Sequence, residues 1–142
     1  MIVTTLVALC ALGSGTVAVR RGMRSWRGQA PFAPRAVVLA TPAVQAGVER
    51  ALLVLGVFHY FLGVMIGLGG YLKAVGAIGG ANPPRPSVAL VVVLLILLVG
   101  VVTTSWTAIA IVCFNRPRFL VPPHLRDQPG TMSTRRRHPT AR

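Results

Sequence analysis

Apolar residues along this chain are gathered into long blocks, separated by stretches rich in arginine, glycine or proline. The first block, Ile2 to Val19, runs 18 residues without a charge. As a helix it would be about 27 Å long, close to the ~30 Å hydrocarbon thickness of a bilayer. Residues 36–48 are apolar but only 13 long and are interrupted by Pro42, too short to span. Thr41-Pro42 reads as a helix start, with threonine as the cap and proline at the first position. That helix continues through Glu49 and Arg50 into the second block, Ala51 to Leu72, which is 22 residues long. From Pro42 it would measure about 46 Å, so its first two turns are expected to project beyond the hydrocarbon. Residues 73–87 are Gly- and Pro-rich and read as a turn, and Val88 to Phe114 is a third block of 27 residues, able to cross with tilt.

The predicted fold is therefore all-α and membrane-integral. Transmembrane helix 1 occupies 1–19, a basic loop 20–41, a helix 42–72 containing span 2 (51–72), an external turn 73–87 and helix 3 88–114. The last segment, 115–142, holds five prolines and seven arginines and is expected to be a basic, largely disordered tail. A cleaved signal peptide is the competing reading of the first block. It needs a basic segment ahead of the apolar run, whereas here Arg20-Arg21 follow it.

Composition sharpens the class. The chain of 142 residues carries 15 Lys+Arg against 2 Asp+Glu, a formal net charge of +13, yet 54% of it is hydrophobic and mean hydropathy is +0.68. So apolar a mean with so few acids argues against a soluble domain, and a disordered basic chain would need low hydrophobicity. Only Lys73 among the basic residues is a lysine, and the abundance of Arg, Ala, Val, Gly and Pro points to a high-GC, bacterial genome. Cys10 and Cys113 are too few for a disulfide framework, and Glu49 and Asp127 leave little for carboxylate chemistry.

Charge also predicts orientation. Thirteen basic residues lie in the 20–35 loop, at Arg50 and in the tail, against two, Lys73 and Arg85, in the turn. The positive-inside rule then gives three helices with the N-terminus out and the C-terminus in, in a bacterial inner membrane. Every arginine cluster lies just beyond a span, where anionic phospholipids attract it by about 1 kcal/mol per residue. Arg20, Arg21, Arg24, Arg27 and Arg35, with Trp26 at headgroup level, are the expected lipid contacts. The aromatic–basic interleaving of a nucleic-acid module is missing, so no nucleic acid is expected.

Three features are candidates for function. Gly56, Gly63, Gly67 and Gly70 recur on one helix face, with Gly100, Thr104 and Ala108 on the third helix and Ala11 and Gly15 on the first. Such small residues let helices approach closely in lipid, either within the chain or against another subunit. His59 lies nine residues into span 2, where an ionisable group is costly and a functional suspect. It either binds a cofactor with a partner's ligand or stays neutral, hydrogen-bonded across helices to Thr103, Thr104, Ser105 or Thr107. Finally, Arg116, Arg118, Phe119, Leu120, Pro122, Pro123, His124 and Arg126 mix basic, proline and apolar residues just past span 3. They suit docking onto a partner's cytoplasmic face or onto lipid. Phe119, Leu120, Val121 and Leu125, apolar outside the membrane, mark 116–126 as more ordered than the terminal arginine run.

No phosphate loop, zinc spacing, CxxC or Ser-His-Asp material occurs in the sequence, so no enzyme activity, cofactor or small-molecule substrate is expected. The expected role is a non-catalytic accessory or scaffold subunit of a larger membrane complex. A self-assembling pore former is the alternative. Three spans, N-out/C-in, and a basic tail resemble class I phage holins, in layout alone. A redox or quinone-associated subunit using His59 is the weaker alternative.

Overall fold

The computed structural model describes residues 2–29, 42–78, 87–128 and 130–132. Among them are three long helices, α1 (Ile2–Trp26), α2 (Pro42–Ala74) and α3 (Val88–Phe114), and no strand. All three are long and apolar enough to cross a membrane. This is the layout of a helical multi-pass membrane protein. Two short 3-10 turns, Arg118–Leu120 and Pro123–Leu125, follow α3.

Glycines and caps set the ends. α1 continues past the expected boundary at residue 19 to Trp26, so the first part of the 20–41 loop is helical. Arginine is a good helix former and does not stop a helix. The stop is Gly28, whose φ of +68° allows the Gln29 N–H to reach back to the Arg24 carbonyl at 3.1 Å. Gly76, at φ +73°, closes α2 the same way, with the Ala77 N–H on the Leu72 carbonyl at 2.9 Å. Ser87 caps α3, its hydroxyl accepting from the Leu90 N–H at 3.3 Å.

α2 is the middle helix and packs against both others. Against α1 it runs antiparallel and very close. A Cβ placed on Gly70 would lie 2.7 Å from Thr4, on Gly63 2.9 Å from Leu12, and on Gly22 of α1 3.0 Å from the Leu53 backbone. α3 meets α2 farther toward its C-terminal half, where Phe61 fills the space at Gly100. A buried core cluster lies at the arginine-bearing end of the bundle. There Ala51 and Val54 of α2, Ala108 and Ile111 of α3, and Val121 and Leu125 of the tail form one buried cluster.

That cluster draws in the first part of the tail, which is ordered here although the tail as a whole was expected to be largely disordered. Residues 115–128 are folded back over the ends of α2 and α3, with Val121 and Pro122 fully buried. Apolar side chains outside a membrane gain by burial, and here the exposed ends of two helices supply the surface. The terminal Arg135-Arg136-Arg137 run lies outside the described residues.

Candidate functional site

The folded tail and the helix ends it covers make a polar, hydrogen-bonded assembly at the arginine-bearing end. Asn115 initiates it. A long apolar helix must stop before the proline-rich segment, and Asn115 does this in the left-handed conformation at φ 56°, ψ 40°. Its backbone N–H bonds the Ile111 carbonyl at 3.0 Å. Its side chain then turns to the tail, where Nδ2 donates to the carbonyls of Gln128 at 2.7 Å, Arg126 at 2.9 Å and Leu125 at 3.5 Å. One side chain thus closes the loop 115–128.

Three further contacts tie the tail to the three helices. Arg50, only 4% exposed on α2, donates from Nη2 to Gln128 Oε1 at 3.1 Å. Arg126 donates from Nε to the Val121 carbonyl at 3.0 Å and lays its guanidinium over Trp26 of α1, 5.9 Å from the ring centre. Thr131 donates its hydroxyl to the Val112 carbonyl of α3 at 2.9 Å. Close approach needs glycine twice. A Cβ on Gly47 would press on Val112 at 3.0 Å, and one on Gly130 would collide with the Cys113 carbonyl.

The expected docking residues therefore divide. Pro122 is buried, Leu120 is half-buried and Arg126 turns inward onto its own chain. Arg116, Arg118, Phe119, Pro123 and His124 remain exposed on the outer face. On α1, Arg20, Arg24 and Arg27 are exposed, while Arg21 and Trp26 are half-buried. Arg35 lies outside the described residues.

The glycine stripe faces α1. Gly56 meets Val19 and Gly15, Gly63 meets Leu12 and Ala8, Gly67 looks toward Ala8 at 3.7 Å, and Gly70 meets Thr4. Thr104 does not reach across the interface. Its hydroxyl bonds the Gly100 carbonyl of its own helix at 2.6 Å. Ala108 is buried against α2.

His59 stands differently from the cross-helix arrangement expected. Nδ1 lies 2.6 Å from the Leu55 carbonyl of its own helix, and His59 faces α1, where a Cβ on Gly15 would lie 3.2 Å from its own Cβ. A carbonyl only accepts, so Nδ1 carries a hydrogen and, in the neutral ring, Nε2 keeps its lone pair. The threonines named as partners are on α3, on the other flank of α2. Thr16 and Tyr60 do pair their hydroxyls across helices, at 2.9 Å.

Sequence reasoning missed Asn115, the Arg50–Gln128 pair and the Trp26–Arg126 contact. An asparagine directly after a long apolar run is a readable helix-stop signal. The other two join residues far apart in sequence and leave no local pattern. No protein-family model matches the chain, and no curated protein and no solved structure matches it.

Proposed function

We propose that the chain is a non-catalytic accessory subunit of a larger bacterial inner-membrane complex, associating through α3. The observation that carries this reading is the exposure of the N-terminal half of α3. Val91, Val92, Val93, Leu95, Ile96, Leu98 and Val99 are all exposed, and of residues 88–99 only Leu97 is buried. The glycine stripe, by contrast, is already occupied by α1. An apolar helix whose contacts lie at one end offers the rest of its length to another helix in the membrane. The thirteen-to-two charge imbalance supports N-out/C-in, with the tail assembly in the cytoplasm.

Affinity purification of the chromosomally tagged protein in a mild detergent tests the reading. Stoichiometric larger membrane partners are expected, lost on Val92→Trp plus Ile96→Trp while the chain itself stays in the membrane. Recovery of a homo-oligomer alone would overturn it in favour of self-assembly. An absorbance spectrum of the same material with a haem or flavin band, abolished by His59→Ala, would overturn it in favour of a redox subunit.

A further inference from the structure

An open recess of about 650 Å³ lies where α3 ends, lined by Ala110, Arg116, Pro117 and Arg118. We infer that this recess binds the phosphate of an anionic phospholipid, with the lipid's acyl chains running down the apolar side of α3. The inference does not depend on the accessory-subunit reading, only on the helices crossing a bilayer.

The recess lies at headgroup level. It runs from Ala110, near the end of α3, to the Arg116–Arg118 segment that follows it. Phe114 and Phe119 beside it are 59% and 69% exposed, which suits rings at the headgroup boundary. Planar guanidiniums match phosphate oxygens with paired donors, and both Arg116 and Arg118 are exposed. The internal bonds of this end are made instead by Arg50 and Arg126. The chain's two acids, Glu49 and Asp127, leave a large excess of positive charge to be neutralised from outside.

The segment that carries the pair is also ordered without a ligand. The Arg116 N–H bonds the Ala110 carbonyl at 3.4 Å, and Pro117 between the arginines has its φ fixed by its ring. The Leu120 N–H bonds the Pro117 carbonyl and the Val121 N–H the Arg118 carbonyl, each at 3.2 Å, and Val121 is fully buried. The backbone bearing both guanidiniums is thus held in place before a ligand arrives, which lowers the ordering cost of binding. Arg20 and Arg24 lie within α1 and Arg27 in its hydrogen-bonded closing turn, so what sets Arg116 and Arg118 apart is that both line this one recess.

Native mass spectrometry of the full chain, in a mild detergent doped with phosphatidylglycerol or phosphatidylcholine, tests the site. Phosphatidylglycerol adducts are expected to dominate and to survive an excess of inorganic phosphate. Each interfacial arginine is worth roughly fivefold in affinity, so Arg116→Gln plus Arg118→Gln should weaken adduct formation about thirtyfold. Arg20→Gln plus Arg24→Gln should weaken it far less. Equal weakening by the two double variants would overturn the site in favour of diffuse attraction. Displacement by inorganic phosphate would overturn it in favour of a small-anion site, and equal phosphatidylcholine binding would overturn it outright. Helicity measured by circular dichroism keeps the comparison fair, since all four arginines project away from the core.

Discussion

Gly15 of α1 and Gly56 of α2 lie back to back. The Cβ that either would carry falls 3.0 Å from the other's carbonyl oxygen. Both obstacles are backbone, so neither helix can relieve a clash by turning a side chain. Gly56→Val is therefore expected to separate the helices and lower stability by about 1–3 kcal/mol, the usual cost of overpacking. Unfolding in mixed detergent micelles, followed by helicity, measures it. Gly67→Ala, with only Ala8 at 3.7 Å, and Gly69→Ala, with nothing near, should be neutral or slightly stabilising. Equal losses at all three would mean the two helices do not meet on this face.

Asn115 supplies both a backbone conformation and a side-chain clamp, and the two can be separated. Asn115→Gly keeps the left-handed turn but removes the three Nδ2 contacts. Asn115→Ala removes both. The glycine variant should free the 118–128 segment while α3 still ends in place, and the alanine variant should cost roughly 1 kcal/mol more. Hydrogen exchange at residues 118–128 is the readout. Unchanged protection in Asn115→Gly would show that Val121 and Leu125 hold the segment without the clamp.

What could be read from the sequence, and what could not, follows from the range of each interaction. The three helices were legible because each apolar block is long enough on its own to cross a bilayer. The end of α1 was misread because arginines signal the membrane boundary and not the helix boundary, which Gly28 sets. Phe119, Leu120, Val121 and Leu125 were visible as apolar residues beyond the last span, a sign of order. Their destination was not visible. Two of the four, Val121 and Leu125, enter the core of the same chain, directed by a left-handed Asn115 and by Arg50 from α2. The glycine stripe announced a close helix partner without naming it. Thr4, Ala8, Leu12, Gly15 and Val19 recur every three or four residues on α1, and they are what it meets.

The core position of Val121 makes the tail sensitive to charge. It is fully buried among Ala51, Val54, Ala108 and Ile111, so Val121→Asp would bury a carboxylate among apolar groups. Loss of about 3 kcal/mol or more and release of the tail are expected, seen as new protease cleavage between residues 116 and 128 in detergent. Phe119→Asp, two residues away on the exposed side, should leave cleavage unchanged.

Arg50 and Gln128 are 78 residues apart and joined at 3.1 Å, with Arg50 almost completely enclosed. Removing Gln128 leaves a charged donor short of an acceptor, which should cost about 1.5–3 kcal/mol. Replacing both by apolar side chains of similar size should cost less than the two single changes together, because neither a buried charge nor its lost acceptor remains at the pair. A double-mutant cycle of Arg50→Met and Gln128→Leu, read by thermal unfolding in detergent, measures the coupling. A coupling near zero would mean that water already satisfies both groups.

His59 makes the last contrast. Its Nδ1–H is satisfied by the Leu55 carbonyl one turn back, and its ring meets Phe58 edge-on at 5.4 Å. A histidine held within its own helix acts mainly as a flat, half-buried side chain against α1. His59→Phe should then remove one local hydrogen bond, change stability by about 1 kcal/mol, and leave partner recovery intact. His59→Asp should do neither harmlessly, since a carboxylate facing the Leu55 carbonyl has no proton to donate and a high cost of burial in the membrane. Co-purification yields of the two variants decide it. Loss of partners with phenylalanine, at unchanged helicity, would show that the free Nε2 is used by a neighbouring chain and that His59 belongs to the interface.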